Sequence, residues 1–99
     1  MKRIYKYTIP VKMYYTLNIY KGFTVLSIQA QGDCICMWAA VDITAEMVTV
    51  DLCILATGQS MDEQYPYYGG TVQTHEGMFV WHIFSNRLLD PWNPKHIQS

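Results

Sequence analysis

The strongest constraint on this chain is a two-residue alternation of side-chain character, cut at short intervals by glycine and proline. Residues 24–31 show it most cleanly. Val25, Ser27 and Gln29 fall on one face, and Leu26, Ile28 and Ala30 on the other. Successive side chains of an extended strand point to opposite sides, so this period belongs to β-structure. No window carries a 3.6-residue apolar stripe with caps at both ends, which a helix would need. Extended segments are expected at residues 4–9, 13–19, 24–31, 34–42, 47–57, 69–74 and 78–84. Breakers separate them: Pro10, Lys21-Gly22, Gln31-Gly32-Asp33, the polar stretch 58–68 and His75-Glu76-Gly77. Residues 34–42 are apolar on both faces and predict a central, doubly covered strand with Trp38 in its core. In residues 47–57, Val48, Val50, Leu52, Ile54 and Ala56 point one way, and Thr49 and Asp51 the other. Gly69-Gly70 predicts a bulge or a close backbone approach as its strand starts. The class is therefore all-β: a small antiparallel β-sandwich or partly open barrel of about six strands. One flat sheet alone would leave an apolar face wet. Residues 1–85 form a single β domain. Residues 86–99 form an irregular C-terminal tail, broken by Asp90-Pro91 and Asn93-Pro94.

Composition limits what such a domain does. Ninety-nine residues hold one core, and 51% apolar content excludes wholesale disorder. Seven basic against eight acidic side chains leave a net charge of -1, without the basic footprint of a nucleic-acid binder. Eight Tyr, three Trp and six Met on so small a chain leave aromatic and thioether surface outside. Exposed surface of that kind marks a partner site, and near-zero charge permits self-association, so a homo-oligomer is expected. Met1-Lys2-Arg3 is basic, but Tyr5, Lys6 and Tyr7 follow where a signal peptide needs an apolar run. The longest apolar run, 34–41, falls far short of the roughly 20 residues of a membrane helix. A soluble protein of the host-cell cytoplasm, with reduced thiols, is the expectation.

Several stretches in the same order carry a resemblance. They are Ile4-Tyr5-Lys6-Tyr7, Gly22 with Leu26-Ser27-Ile28-Gln29, Trp38-Ala39 with Val41-Asp42, and Thr57-Gly58. The last is Tyr68-Gly69-Gly70-Thr71-Val72-Gln73 with His75, Gly77, Val80, His82 and Phe84. Over about residues 2–85 the chain resembles a family of short, uncharacterised proteins that recur in phage and prophage genomes. The resemblance implies a phage origin and a β-rich domain. It carries no assigned activity and no catalytic residue. The tail after Phe84 and the tyrosine-rich loop at 59–67 depart from the family pattern.

Candidate chemistry is thin. Cys34-Ile35-Cys36 places two thiols on one strand face, and Cys53 with His75 or His82 would complete a tetrahedral zinc set in principle. Cys-x-Cys is not the usual spacing, and free cysteines mostly pack as small hydrophobes, so no metal is expected. Four serines lack a Gly-x-Ser-x-Gly elbow, and the carboxylates are scattered. No enzyme and no cofactor are expected. His82 lies among apolar residues, as a histidine hydrogen-bonded in a core or at an interface does. The binding candidates are Tyr65, Tyr67 and Tyr68 in the loop, His75 at a hairpin tip, and Arg87 and Trp92 in the tail. Tyrosine joins a large rigid face to a polar tip, which suits recognition, although such a loop also folds back as a lid on its own sheet. Leu88, Leu89, Pro91 and Trp92 form an apolar cluster that docks on its own domain or on a partner.

The expected function is a phage-encoded accessory protein that counters a host antiviral defence by binding. Its partner is a host defence protein, or a small nucleotide signal that it sequesters. A structural or assembly accessory of a phage is the alternative, and single-stranded nucleic-acid binding is disfavoured by the charge.

Overall fold

Each alternating segment becomes a strand. The structure, a computed structural model, describes residues 1–87 and residue 89. Seven strands follow in order: β1 Lys2–Ile9, β2 Tyr14–Tyr20, β3 Thr24–Gln31, β4 Cys34–Asp42, β5 Met47–Ala56, β6 Tyr67–Thr74 and β7 Phe79–Ser85. They form two antiparallel sheets, ordered β1-β4-β3 and β2-β5-β7-β6. The expected sandwich is thus present, with seven strands and without closure into a barrel. The alternation works as read: Ile9, Leu17, Ile19, Ile35, Met37, Val41, Val50, Leu52 and Ile83 point between the sheets and are buried. At the β4–β5 turn, the backbone N–H and hydroxyl of Thr44 both donate to the Asp42 carboxylate. Those bonds hold its carboxyl well below the usual carboxylate range.

Glycine closes one side of the sandwich. The β6–β7 register slips between Tyr68 and Gly70, so Gly69 is the bulged residue. A Cβ on Gly70 would stand 3.5 Å from Ile28 Cβ. That is an ordinary contact distance, so edge strand β6 lies close against edge strand β3 of the other sheet at this point. A Cβ on Gly69 would stand 2.7 Å from Leu89 Cδ1. Leu89, in the stretch assigned to the tail, is 1% exposed and belongs to the core. The close-approach reading of this glycine pair is what the backbone shows.

Two strands differ from expectation in how they are covered. Cys53 and Leu55 on β5 are buried along with Leu52 and Ile54, so this strand is covered on both faces toward its end. Its second cover is the loop 57–66. By contrast, β4 sits in the middle of a three-stranded sheet packed on one side only. Its inward Ile35, Met37, Ala39 and Val41 are fully buried, while Trp38 is half-buried on the outer face, opposite Lys6 and Ser27. A central strand has both backbone edges paired, but its outer face needs a third layer that the described residues do not provide. Among the described residues, no helix is long and apolar enough to cross a membrane.

Candidate functional site

The outer face of the four-stranded sheet gathers four aromatic side chains, Tyr14, Tyr65, Tyr68 and Phe84. Register places Tyr14 beside Cys53, Cys53 beside Phe84 and Phe84 beside Tyr68. These four positions form one row across all four strands, spanning roughly 14 Å at the usual strand spacing. Tyr68 and Phe84 meet edge to face with centroids 5.6 Å apart. Such pairs add to the area they bury.

The loop 57–66 lies over one end of this row. Asp62 organises it: the Gln64 amide donates to one carboxylate oxygen and the Tyr14 hydroxyl to the other, at 2.9 Å each. Tyr65 packs against Tyr14 with centroids 5.5 Å apart and the rings tilted by 40°. Cys53 is sealed beneath, and burial, then the nearby Asp62 charge, push its thiol pKa up. The Tyr14 phenol is raised above its ordinary value of 10, first by its hydrogen bond to Asp62. The Tyr65 phenol is raised by burial, then by the Asp51 and Asp62 charges. Beside this lid opens a groove of about 370 Å³, lined by Lys12, Tyr14, Tyr15, Thr16, Asp51 and Tyr65. Lys12 Nζ stands 6.0 Å from the Tyr15 ring centroid. Thr16 and Asn86 both donate to Asp51. Its walls are aromatic and its floor carries both signs of charge.

A polar chain runs beside the aromatic row. His82 Nε2 lies 2.8 Å from Thr57 Oγ1, and His82 Nδ1 lies 3.1 Å from Thr71 Oγ1. The Thr71 hydroxyl also meets the Tyr68 hydroxyl. A neutral imidazole donates from one nitrogen and accepts at the other, so both hydroxyls are satisfied. His82 thereby pins the start of the loop, at Thr57, to strands β7 and β6. Among the described residues no group of three or more His, Cys, Asp or Glu is placed to hold a metal ion. Cys36 and Cys53 lie on different sheets.

The domain of unknown function DUF7352 matches residues 1–93 of this chain. The chain belongs to the DUF7352 family. No curated protein and no solved structure matches it. Membership in an uncharacterised family agrees with the resemblance read from the sequence, and it reaches past residue 85 to include Leu89.

In this DUF7352 domain the candidate residues separate into three places. Tyr65 is the half-buried lid, while Tyr67 and Tyr68 are 42% and 58% exposed at the start of β6. The tyrosine loop is thus a lid in its first part and open surface in its second. Arg87 is exposed just past Ser85, the cross-strand neighbour of Tyr67, and its carbonyl accepts the Ser85 hydroxyl. His75 sits at the far end of β6, roughly 20 Å from Tyr68 at the usual strand rise. Its amide donates to Asp33 at 3.1 Å, and its ring meets Phe79 edge-on at 5.0 Å. It joins the tips of the β6–β7 and β3–β4 hairpins. Trp92 lies outside the described residues. Tyr14 and Tyr15, part of the tyrosine reserve that the sequence offers for recognition, line the groove, whereas Lys12 and Asp51 beside them and His82 as the pin were not read from the sequence. The alternation in β2 carried a signal for Tyr14, which falls on the opposite face from Leu17 and Ile19.

Proposed function

We propose that this DUF7352 protein is a phage-encoded accessory protein that counters a host antiviral defence by binding a protein effector, without making or breaking covalent bonds. The observation that carries the binding reading is the aromatic row Tyr14, Phe84 and Tyr68, with Tyr65 beside it, on one outer sheet face. Rigid rings with polar tips bind at small entropic cost and head the residues that dominate protein interfaces. The groove supports a protein partner over a nucleotide. Asp51 and Asp62 place carboxylates where a polyphosphate would need cations, and Lys12 is the one cation among the groove residues. The phage setting and the host cytoplasm rest on the sequence resemblance.

The test is phage plating on cells that carry a panel of defence systems, with and without the protein. Wild type is expected to restore plating against at least one system. The Tyr67→Ala/Tyr68→Ala double variant is expected to lose that rescue while melting at nearly the wild-type temperature. Rescue by the double variant would remove the aromatic face from the mechanism. Failure against every system would remove the counter-defence reading. A nucleotide released from the purified protein on denaturation would replace the protein effector with a signal molecule.

A further inference from the structure

We infer that the free edge of β1 is a second binding site, which takes an extended acidic peptide segment of another protein as an added strand. It lies on the other sheet and does not depend on the aromatic face. Among the described residues β1 pairs only with β4, through Lys2 to Ile9, so its other side carries unpaired N–H and C=O groups. The first five of its residues, Lys2 to Lys6, are exposed on both faces of the strand, with Ile4 at 68%. An eight-residue open edge is a template for strand addition.

Charge selects the guest. No carboxylate precedes Asp33, yet five of the seven basic residues do: Lys2, Arg3, Lys6, Lys12 and Lys21. Three of them stand on β1. Lys6 donates to the neutral Gln31, and Arg3 reaches only the Met1 sulfur. Among the described residues no carboxylate lies within ion-pair distance of Lys2, Arg3 or Lys6. Asp42 is the cross-strand neighbour of Lys2, but its carboxylate is engaged by Thr44 and the Met1 amine. Lys2, Ile4 and Lys6 share one face of the strand, and Arg3 and Tyr5 the other. In a guest that alternates carboxylates with apolar residues, the carboxylates fall on one face, against Lys2 and Lys6, and the apolar residues on the other, against Tyr5. A second β1 fits poorly, because antiparallel self-pairing sets these cations against one another, and like charges across strands repel. A nucleic acid fits poorly too, because phosphates only accept hydrogen bonds and leave the outward carbonyls unpaired.

The experiment titrates the full chain into a fluorescein-labelled peptide alternating Glu with Val. Micromolar binding is expected, weakened at least tenfold by Lys2→Glu/Arg3→Glu/Lys6→Glu. The same peptide N-methylated at alternate residues keeps its charge but cannot complete a ladder, and it is expected to bind wild type at least tenfold more weakly. That second arm needs no variant to fold. Equal binding of the two peptides would reduce the contact to ion pairing and overturn the inference. So would absence of binding, or light scattering showing a dimer that the triple variant dissociates.

Discussion

At the tip of the β6–β7 hairpin, His75 and Glu76 hold φ at 55° and 58°. They are the first two residues of a four-residue connection, 75–78, and such left-handed pairs favour Asn-Gly, because that region costs an ordinary residue about 1 kcal/mol or more. His75 has compensation in its bond to Asp33, whereas Glu76 makes no hydrogen bond among the described residues. Glu76→Gly is therefore expected to raise stability by roughly 1 kcal/mol in urea denaturation. A lowered midpoint would mean that the carboxylate makes a contact worth more than the strain. Gly69 shows the converse. A methyl there would press on Leu89, which is itself packed in the core, and Gly69→Ala should cost about 1 to 3 kcal/mol. A neutral result would place Leu89 elsewhere. His82→Ala removes two hydrogen bonds and should cost about 1 to 2 kcal/mol, with the amides of 57–60 losing exchange protection first. Unchanged protection there would refute its role as the pin. The bulge was legible at Gly69-Gly70 because glycine pairs inside a strand pattern have few other uses. The pin was not, because a histidine among Val80, Trp81 and Ile83 reads the same whether its partners are hydroxyls or none.

Between elements, the bond from Tyr14 to Asp62 ties β2 to the loop 57–66. The phenol's folded pKa is raised, so its contribution is fully present below the ordinary value near 10. It is lost as pH climbs through the folded value. Phenolate absorbance should show a late-titrating tyrosine in wild type that Asp62→Asn returns toward the ordinary range. A wild-type titration with every exposed tyrosine at its ordinary value would rule the bond out. The same loop explains why β5 read as one-sided in sequence. Thr49 and Asp51 announce a wet face, but Cys53 and Leu55 lie under a lid built from residues ten positions away. β4 errs the other way. Its apolar run is continuous, and only the absence of a third layer among the described residues leaves Trp38 half exposed.

At the scale of the molecule, the domain reaches past β7. Leu89 fills the corner where β6 meets β3, beside Gly69 and Ile28. Leu89→Ala should cost about 2 to 5 kcal/mol, a large part of the net stability of a domain this size. A chain ending at Arg87 should lose at least as much. If that shorter chain unfolds at the wild-type denaturant concentration, the corner is filled by something else.

Strand positions, the all-β class and the turns were determined by the sequence alone, because alternation and glycine or proline breakers act within a few residues. The hairpins 24–42 and 69–84 were legible too, because a tight turn pairs the two strands it joins. The other partners were not, since a period of two is the same in every strand and says nothing about which strand lies beside which. Only the folded chain decided that β2, β5, β7 and β6 share a sheet. That choice puts Tyr14, Phe84 and Tyr68 in one row, brings Thr57 and Thr71 to either side of His82, and leaves β1 with an open, cationic edge. These contacts join residues far apart in the chain, so their energies belong to tertiary packing and leave no local pattern to read.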